Sequence, residues 1–159
     1  METVYIAGGC LWGVQHFFDI VSGVVETEAG RANGDTDSLE GVYDGYAECV
    51  KVTFDETVTS ITDLMGHLFE IIDPYSLNKQ GADVGKKYRT GIYSTSAKHL
   101  AEAKDFIKQR ADRDKIVVEV LPLTNYVRSA EEHQHHLERY PEDCRLCYIP
   151  ESILNKYRQ

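Results

Sequence analysis

The hydrophobic positions of the chain follow a period of two in some segments and a period near 3.6 in others. The clearest alternation runs over residues 48–54, where Val50, Val52 and Phe54 share one face. This pattern predicts a strand with one apolar side. Further short strands are predicted over residues 4–7, 24–31, 88–93 and 115–121.

Helical spacing separates these strands. Apolar faces are predicted for three helices, formed by Val14, Phe17, Phe18 and Val21, by Ile61, Leu64, Met65, Leu68 and Ile72, and by Leu100, Ala103, Ile107 and Ala111. The second helix is expected to begin after Ser60 and the third after Ser96, because a serine side chain caps the free N–H groups of a helix start.

The order of the first six predicted elements is β-α-β-β-α-β, the split βαβ pattern of a ferredoxin-like fold. We therefore predict an α+β protein, a ferredoxin-like two-layer sandwich with a βαββαβ core and a mixed, mainly antiparallel sheet. We expect one domain over residues 1–159. Its C-terminal segment, residues 125–159, is polar and His-rich, and we expect it to be largely irregular, with one helix around residues 131–139.

The charge balance narrows the function classes. Lys and Arg number 17 and Asp and Glu number 26, so the formal net charge is −9. An acidic surface disfavours binding to nucleic acids and to anionic membranes. No apolar stretch approaches the roughly 18 residues of a membrane span, and residues 1–3 lack the basic region of a signal peptide. We expect a cytoplasmic monomer, in which the four cysteines are catalytic, metal-binding or buried.

Cys10 lies between a predicted strand that ends in Gly8–Gly9 and the first predicted helix. The N–H groups of a helix start lower the pKa of a thiol and favour the nucleophilic thiolate. A small residue packed at the end of a strand is an equally good interpretation of the position alone.

Glu48 shares the apolar face of its strand, whereas Cys49 points to the opposite face and away from Cys10. Loss of solvent raises the pKa of a carboxyl, which suits a general acid near neutral pH. A strand-end glutamate whose carboxyl reaches solvent is the competing interpretation.

The polar segment 78–89 has two glycines and brings Asp83 and Tyr88 toward a possible pocket, although an ordinary surface loop has the same pattern. Cys144 and Cys147 form a CxxC pair, which suits a redox dithiol or half of a zinc site. The histidines that would complete such a site are His133, His135 and His136, and their spacing fits no common zinc finger.

Four segments, in order, resemble the A-type peptide methionine sulfoxide reductases. Residues 8–13 (GGCLWG) resemble the family motif GCFWG, and residues 45–48 (GYAE) resemble GHAE. Residues 78–89 (NKQGADVGKKYR) resemble NxQGxDxGxQYR, and the stretch from His133 to Pro141 resembles the HQxYL…P tail. The four matches span nearly the whole chain.

The resemblance implies that Cys10 attacks the sulfur of a methionine S-sulfoxide while Glu48 protonates its oxygen. Leu11 and Trp12 would form the apolar wall for the substrate methyl group, and Asp83 and Tyr88 would bind the oxygen.

The resemblance also implies how the enzyme is recycled. Cys10 becomes a sulfenic acid, which Cys144 or Cys147 condenses to a disulfide. Thioredoxin or a similar dithiol then reduces that disulfide. No metal or organic cofactor is expected, and the substrate is free or protein-bound methionine sulfoxide.

Three departures from the family motifs affect the expected site. Thr36 stands where the family has a tyrosine, and Tyr43 is a candidate replacement. Leu11 replaces a phenylalanine and Tyr46 replaces a histidine. Two other functions remain as alternatives: a general dithiol oxidoreductase or redox sensor, and a zinc-binding module, both built on Cys144 and Cys147.

Overall fold

The computed structural model describes residues 1–35, 43–141, 143 and 151–158. Its strands are β1 (Glu2–Gly8), β2 (Val24–Ala32), β3 (Ala47–Phe54), β4 (Lys79–Gln80), β5 (Asp83–Val84), β6 (Thr90–Ser94), β7 (Glu119–Pro122) and β8 (Tyr126–Arg128). Its helices are α1 (Leu11–Phe18), α2 (Ile61–Ile71), α3 (Ala97–Lys108), α4 (His136–Arg139) and α5 (Glu151–Arg158). Short 3₁₀ turns lie at Lys86–Tyr88, Arg113–Lys115 and Glu131–His133.

A six-stranded sheet in the order β7-β6-β1-β3-β2-β8 forms the centre of the fold. Strands β6 and β7 are parallel, and the other neighbouring pairs are antiparallel. Strands β4 and β5 form a separate small hairpin. The fold is therefore mixed α/β with a mainly antiparallel sheet, as the sequence predicts.

The main core fills the space between one face of the sheet and helices α1, α2 and α3. Its largest fully buried side chains include Phe17, Phe18, Phe54, Leu64 and Leu68. This burial confirms the alternation of β3 and the apolar face of α1 at Val14, Phe17 and Phe18. Val21 is also buried, but it lies beyond the end of α1 at Phe18.

Both predicted serine caps are confirmed. The Ser60 hydroxyl accepts the N–H of Asp63 at 3.1 Å, and the Ser96 hydroxyl accepts the N–H of His99 at 3.3 Å. Each side chain thus satisfies one of the free donors of a helix start.

Three further predicted boundaries are wrong. Ala111 lies beyond the end of α3 at Lys108 and is exposed, so it takes no part in the apolar face of that helix. The strand predicted over 115–121 begins only at Glu119, because the Val117 N–H is bonded to the carbonyl of Pro74 at 2.8 Å, outside the sheet. The strand predicted over 88–93 begins at Thr90, after the 3₁₀ turn that ends at Tyr88.

The segment after residue 125 has more regular structure than the sequence indicates. Strand β8 pairs with Gly30, Arg31 and Ala32 of β2, and its three residues are too few to show a period. The single helix expected over 131–139 is a 3₁₀ turn and the short α4, separated at His135, whose φ of 50° interrupts the helix. Among the described residues, none of the helices has the length and apolar character needed to cross a membrane.

Two glycine-to-alanine changes should alter stability in opposite directions. A Cβ at Gly30 would lie 2.3 Å from the ring of Tyr126, which is held by a 2.7 Å hydrogen bond from its hydroxyl to Glu28. We expect Gly30→Ala to lower the free energy of unfolding by about 1–3 kcal/mol, through overpacking. A Cβ at Gly66 of α2 would meet open space, so Gly66→Ala should raise the free energy of unfolding by roughly 0.5–1 kcal/mol. Urea unfolding of both variants checks this, and an unchanged midpoint for Gly30→Ala would contradict the close packing of β8.

Candidate active site

The turn between β1 and α1 places Cys10 at the start of the helix. Gly9 has a φ of 96°, which an L side chain rarely adopts, so the chain can bend sharply there. A Cβ at Gly8 would lie 3.0 Å from side-chain atoms of Leu68 and Val14, so only glycine fits without displacing them. Cys10 itself is the N-cap residue of α1 and is partly buried.

A cavity of about 450 Å³ opens above this turn. Six of the residues predicted for the site line it: Cys10, Leu11, Trp12, Glu48, Asp83 and Tyr88. The lining also contains Arg31, Tyr46, Ala82, Lys87, Ser129 and His133. Residues that are far apart in sequence thus meet around one space of the size of a small ligand.

The carboxyl of Glu48 is held at two points. Its Oε1 accepts the N–H of Leu11 at 3.3 Å, and its Oε2 lies 3.9 Å from the ammonium of Lys87. The side chain is only 15% exposed. Burial raises the pKa of Glu48, and the Leu11 N–H and the Lys87 charge offset part of that rise. The direction agrees with the sequence-based expectation for a general acid.

The Cys10 thiol behaves differently from the expectation. Burial raises the pKa of Cys10 to about 11, although the N–H groups of Trp12 and Gly13 act in the opposite direction. The negative charge of Glu48 adds to the rise. The predicted lowering of the Cys10 pKa is therefore wrong, because the loss of solvent around the thiol outweighs the effect of the helix N–H groups.

Trp12 is fixed by the C-terminal part of the chain. Its indole N–H donates to Nδ1 of His133 at 3.1 Å, and its ring stacks on His136 with centroids 3.7 Å apart. Nε2 of His136 lies 2.6 Å from a carboxylate oxygen of Asp143. The apolar wall of the cavity thus depends on residues more than a hundred positions away.

Gln134 anchors this C-terminal stretch to the sheet. Its buried amide accepts the N–H of Ala29 at 2.8 Å and donates to the carbonyls of Ala29 and Ser129, at 2.9 and 3.0 Å. The next residue, His135, donates its backbone N–H to the side chain of Gln15 on α1 at 2.8 Å. These bonds hold the stretch between β2 and α1.

The two tyrosines near Glu48 take different places. Tyr43 lies outside the cavity lining, is 43% exposed, and donates its hydroxyl to the Tyr46 carbonyl at 2.7 Å. Tyr46 lines the cavity, and the Arg31 guanidinium lies 4.4 Å from the centre of its ring. Strand alternation gives a signal for Tyr46, which stands two positions before Glu48.

Some predicted residues lie outside the described part of the chain, namely Thr36, Cys144 and Cys147. The three histidines proposed with the CxxC pair have different partners where the structure describes them. His133 bonds Trp12, His135 pairs with Asp19 at 2.8 Å, and His136 pairs with Asp143.

Lys87, Arg31 and His133 are cavity residues that the sequence reasoning did not assign to the site. Lys87 precedes Tyr88 and therefore lies inside segment 78–89, which resembles a family motif. Nothing in its spacing indicates that its side chain lies close to Glu48. Arg31 and His133 reach the cavity through the pairing of β2 with β3 and through the Gln134 anchor, which sequence periodicity does not reveal.

Comparison with known proteins gives one consistent result. The family model for peptide methionine sulfoxide reductases matches residues 2–159. The peptide methionine sulfoxide reductase MsrA of Clostridium perfringens (strain 13 / Type A) is 42% identical over 159 residues, which cover 94% of this chain and 98% of the relative. The MsrA of Ureaplasma urealyticum serovar 10 is 37% identical over 163 residues and covers 98% of both chains.

Two solved structures have the same fold. Mxr1 from Saccharomyces cerevisiae in its reduced form superimposes with a TM-score of 0.82 and 28% identity, covering 89% of this chain and 86% of that one. Methionine sulfoxide reductase A of Corynebacterium diphtheriae gives a TM-score of 0.80 and 29% identity, covering 88% and 75%.

The raised pKa of Cys10 predicts slow alkylation at neutral pH. With a pKa of about 11, roughly one thiol in ten thousand is ionised at pH 7. In a variant with Cys144 and Cys147 both changed to serine, the iodoacetamide rate at Cys10 should keep rising up to about pH 10. Buried Cys49 should stay unmodified, and mass spectrometry assigns the site. A rate that levels off below pH 8 would contradict the prediction.

Proposed function

The chain belongs to the peptide methionine sulfoxide reductase family, and on that premise we propose which of its residues reduce methionine sulfoxide and how. The observation that carries the proposal is that Cys10 and Glu48 line one cavity, with the Glu48 carboxyl bonded to the N–H of Leu11, the residue after Cys10. A nucleophile and an acid thus face the same space, as the reduction of a sulfoxide requires.

In the first step the sulfur of Cys10 attacks the sulfoxide sulfur while Glu48 gives its proton to the sulfoxide oxygen. The attack forms a bond between the two sulfur atoms and passes the thiol proton to the Glu48 carboxylate. The hydroxyl then moves from the substrate sulfur to Cys10 as the S–O bond and the new S–S bond break, so methionine leaves and Cys10 is left as a sulfenic acid. No bond to carbon forms or breaks in this step. The thiol sulfur supplies the two electrons that reduce the sulfoxide. The raised pKa of Glu48 supports this role because a higher pKa favours the protonated carboxyl, which is the form that donates.

The other lining residues supply binding. We propose that Leu11 and the indole of Trp12 contact the methyl group of the substrate, because they form the apolar part of the lining. Asp83 and Tyr88 are proposed to bind the oxygen, directly or through water. We propose Tyr46 rather than Tyr43 for the role of the tyrosine that Thr36 replaces, since Tyr46 lines the cavity and Tyr43 does not.

The second step regenerates the thiol. We propose that Cys144 condenses with the sulfenic acid, releasing water and forming a Cys10–Cys144 disulfide. The Cys147 thiol then attacks Cys144, which releases the Cys10 thiol and forms a Cys144–Cys147 disulfide. Thioredoxin or a comparable dithiol reduces it by exchange. This cycle needs a compartment that supplies reduced dithiols, so we propose the cytoplasm, and we propose that the protein acts as a monomer.

The finer description of the fold belongs to the same proposal. We assign strands β6, β1, β3 and β2 to a ferredoxin-like βαββαβ core in a two-layer sandwich, because they neighbour each other in that order and all their pairings are antiparallel. We take residues 1–159 as one catalytic domain, in which residues 125–159 carry the resolving cysteines.

The epimers of a methionine sulfoxide peptide test the proposal. With dithiothreitol as reductant, the protein should reduce the S epimer only. Cys10→Ser should abolish turnover because no nucleophile remains. Glu48→Gln should slow it by about 10²- to 10⁴-fold because an amide has no proton to donate. The readout is methionine formed, separated by chromatography.

Two results would count against the proposal. Turnover that survives Cys10→Ser would assign the nucleophile elsewhere. A full rate for Glu48→Gln at pH 8 would remove the general-acid role. Far-ultraviolet circular dichroism of both variants serves as the folding control.

Disulfide mapping separates the roles of Cys144 and Cys147. After one equivalent of sulfoxide without reductant, the unmodified protein should hold a Cys144–Cys147 disulfide. Cys147→Ser should stop at Cys10–Cys144, because the second exchange lacks its thiol. Peptide mass spectrometry identifies each bond. A Cys10–Cys147 disulfide that forms in Cys144→Ser at the unmodified rate would reverse the assignment.

A further inference from the structure

Lys87 lies close enough to Glu48 to influence its chemistry. The ammonium nitrogen of Lys87 is 3.9 Å from Oε2 of Glu48, and both side chains line the cavity. Glu48 is 15% exposed and Lys87 is 41% exposed, so the pair joins a buried carboxyl to a cation at the mouth of the site. The motif that segment 78–89 resembles has glutamine where this chain has Lys87, which makes the positive charge a feature of this chain.

The backbone fixes this approach. Lys87 is the middle residue of the 3₁₀ turn Lys86–Tyr88, which begins after Gly85, where φ is 142°. The Tyr88 N–H closes the turn on the Gly85 carbonyl at 3.0 Å. The turn packs against β3, the strand that carries Glu48. Lys86, the preceding residue, is exposed and lies outside the cavity lining.

Other charges also act on Glu48. In the described part of the chain, several titratable and charged groups interact with Glu48 or line the cavity with it, namely Cys10, Arg31, Tyr46, Cys49, Asp83, Lys87, Tyr88 and His133. Arg31 favours the ionised carboxyl and Asp83 opposes it, but both act less strongly than burial and than Lys87. Lys87 is therefore the main cation that compensates for the lost solvent around Glu48.

Lys87 remains charged in this place. Burial works against its ammonium form, yet the pKa of Lys87 lies above its usual value because Tyr88 and Glu48 outweigh that effect. Its ammonium also lies 5.0 Å from the centre of the Tyr88 ring. A positive charge thus stands beside the acid near neutral pH.

We propose that Lys87 is a positioning residue for Glu48: its ammonium orients the carboxyl toward the cavity and stabilises the carboxylate left after proton donation to the sulfoxide oxygen. The proposal rests on the role of Glu48 as the general acid given above. In the step concerned, the proton moves from Glu48 to the substrate oxygen, and Lys87 keeps its own protons throughout.

The proposal predicts the direction in which the pH profile of the reduction rate moves when Lys87 loses its charge. A neighbouring cation favours the carboxylate and lowers the pKa of a carboxyl, so removing the cation raises that pKa. In Lys87→Gln the protonated acid should persist to higher pH. The alkaline limb of the reduction rate, where Glu48 loses its proton, should therefore move upward. The expected movement is about half a pH unit to one unit, since the partial exposure of Lys87 weakens the interaction.

The experiment measures single-turnover reduction of a methionine S-sulfoxide peptide by the reduced protein between about pH 5 and pH 10. Four proteins are compared: the unmodified chain, Lys87→Gln, Lys87→Arg and Lys86→Gln. Lys86→Gln is the matched control, because it removes the same charge one position away from the cavity. We expect the alkaline limb to move in Lys87→Gln alone. Lys87→Arg, which keeps the charge, should restore the profile.

A second comparison isolates the pair. If Lys87 acts through Glu48, adding Lys87→Gln to a Glu48→Gln protein should leave the residual rate and its pH dependence unchanged. A superimposable profile for Lys87→Gln and the unmodified chain would overturn the proposal. A uniform loss of rate at all pH values that Lys87→Arg fails to restore would also overturn it, since that is the signature of a structural role. If the unmodified chain reduces neither epimer, the assigned reaction itself is wrong, which is a separate result.

Discussion

The cavity of this protein contains two acids that cannot both be ionised at low cost. The Cys10 thiol and the Glu48 carboxyl share one poorly solvated space, and burial raises the pKa of each. The charge of Glu48 raises the pKa of Cys10 further. In the absence of substrate, the site therefore favours the state in which the thiol keeps its proton. Such a thiol reacts slowly with adventitious oxidants, because the thiolate is the reactive form.

The residues around Cys10 and Glu48 come from distant parts of the chain, and the buried amide of Gln134 holds these parts together. By pairing with the backbone of Ala29 it fixes the stretch that carries His133 and His136. Those two rings then hold Trp12 from its edge and from its face. A buried amide that satisfies backbone groups in this way has little freedom to move, because an unpaired partner would be costly. The rigidity of the apolar wall is thus a property of the C-terminal stretch as much as of helix α1.

The sequence predicts those features that depend on neighbours along the chain. The face of β3 and the serine caps of α2 and α3 are local patterns, and the structure confirms them. Cys10, Glu48, Asp83 and Tyr88 also meet at one cavity, as the resemblance implies.

What the sequence misses depends on packing between distant segments. The direction of the Cys10 pKa shift reflects a balance in which loss of solvent outweighs the helix N–H groups, and only the folded structure shows how much solvent is lost. Strand β8, the Gln134 anchor and the approach of Lys87 to Glu48 likewise have no counterpart in the local pattern. The reaction itself explains why burial of Cys10 and Glu48 is suitable. Transfer of oxygen from a sulfoxide to a thiol begins and ends with neutral species, so a site that disfavours charge need not oppose the overall step. In the proposed mechanism charge appears only transiently, as a thiolate beside a protonated sulfoxide and as a carboxylate on Glu48. The N–H groups of Trp12 and Gly13 act on the Cys10 sulfur, where that mechanism places the first negative charge, and the Lys87 ammonium lies 3.9 Å from the Glu48 carboxyl, where it places the second. Fixed donors at those two points stabilise the transition state without reorganising solvent, which is the condition under which electrostatic stabilisation is most effective.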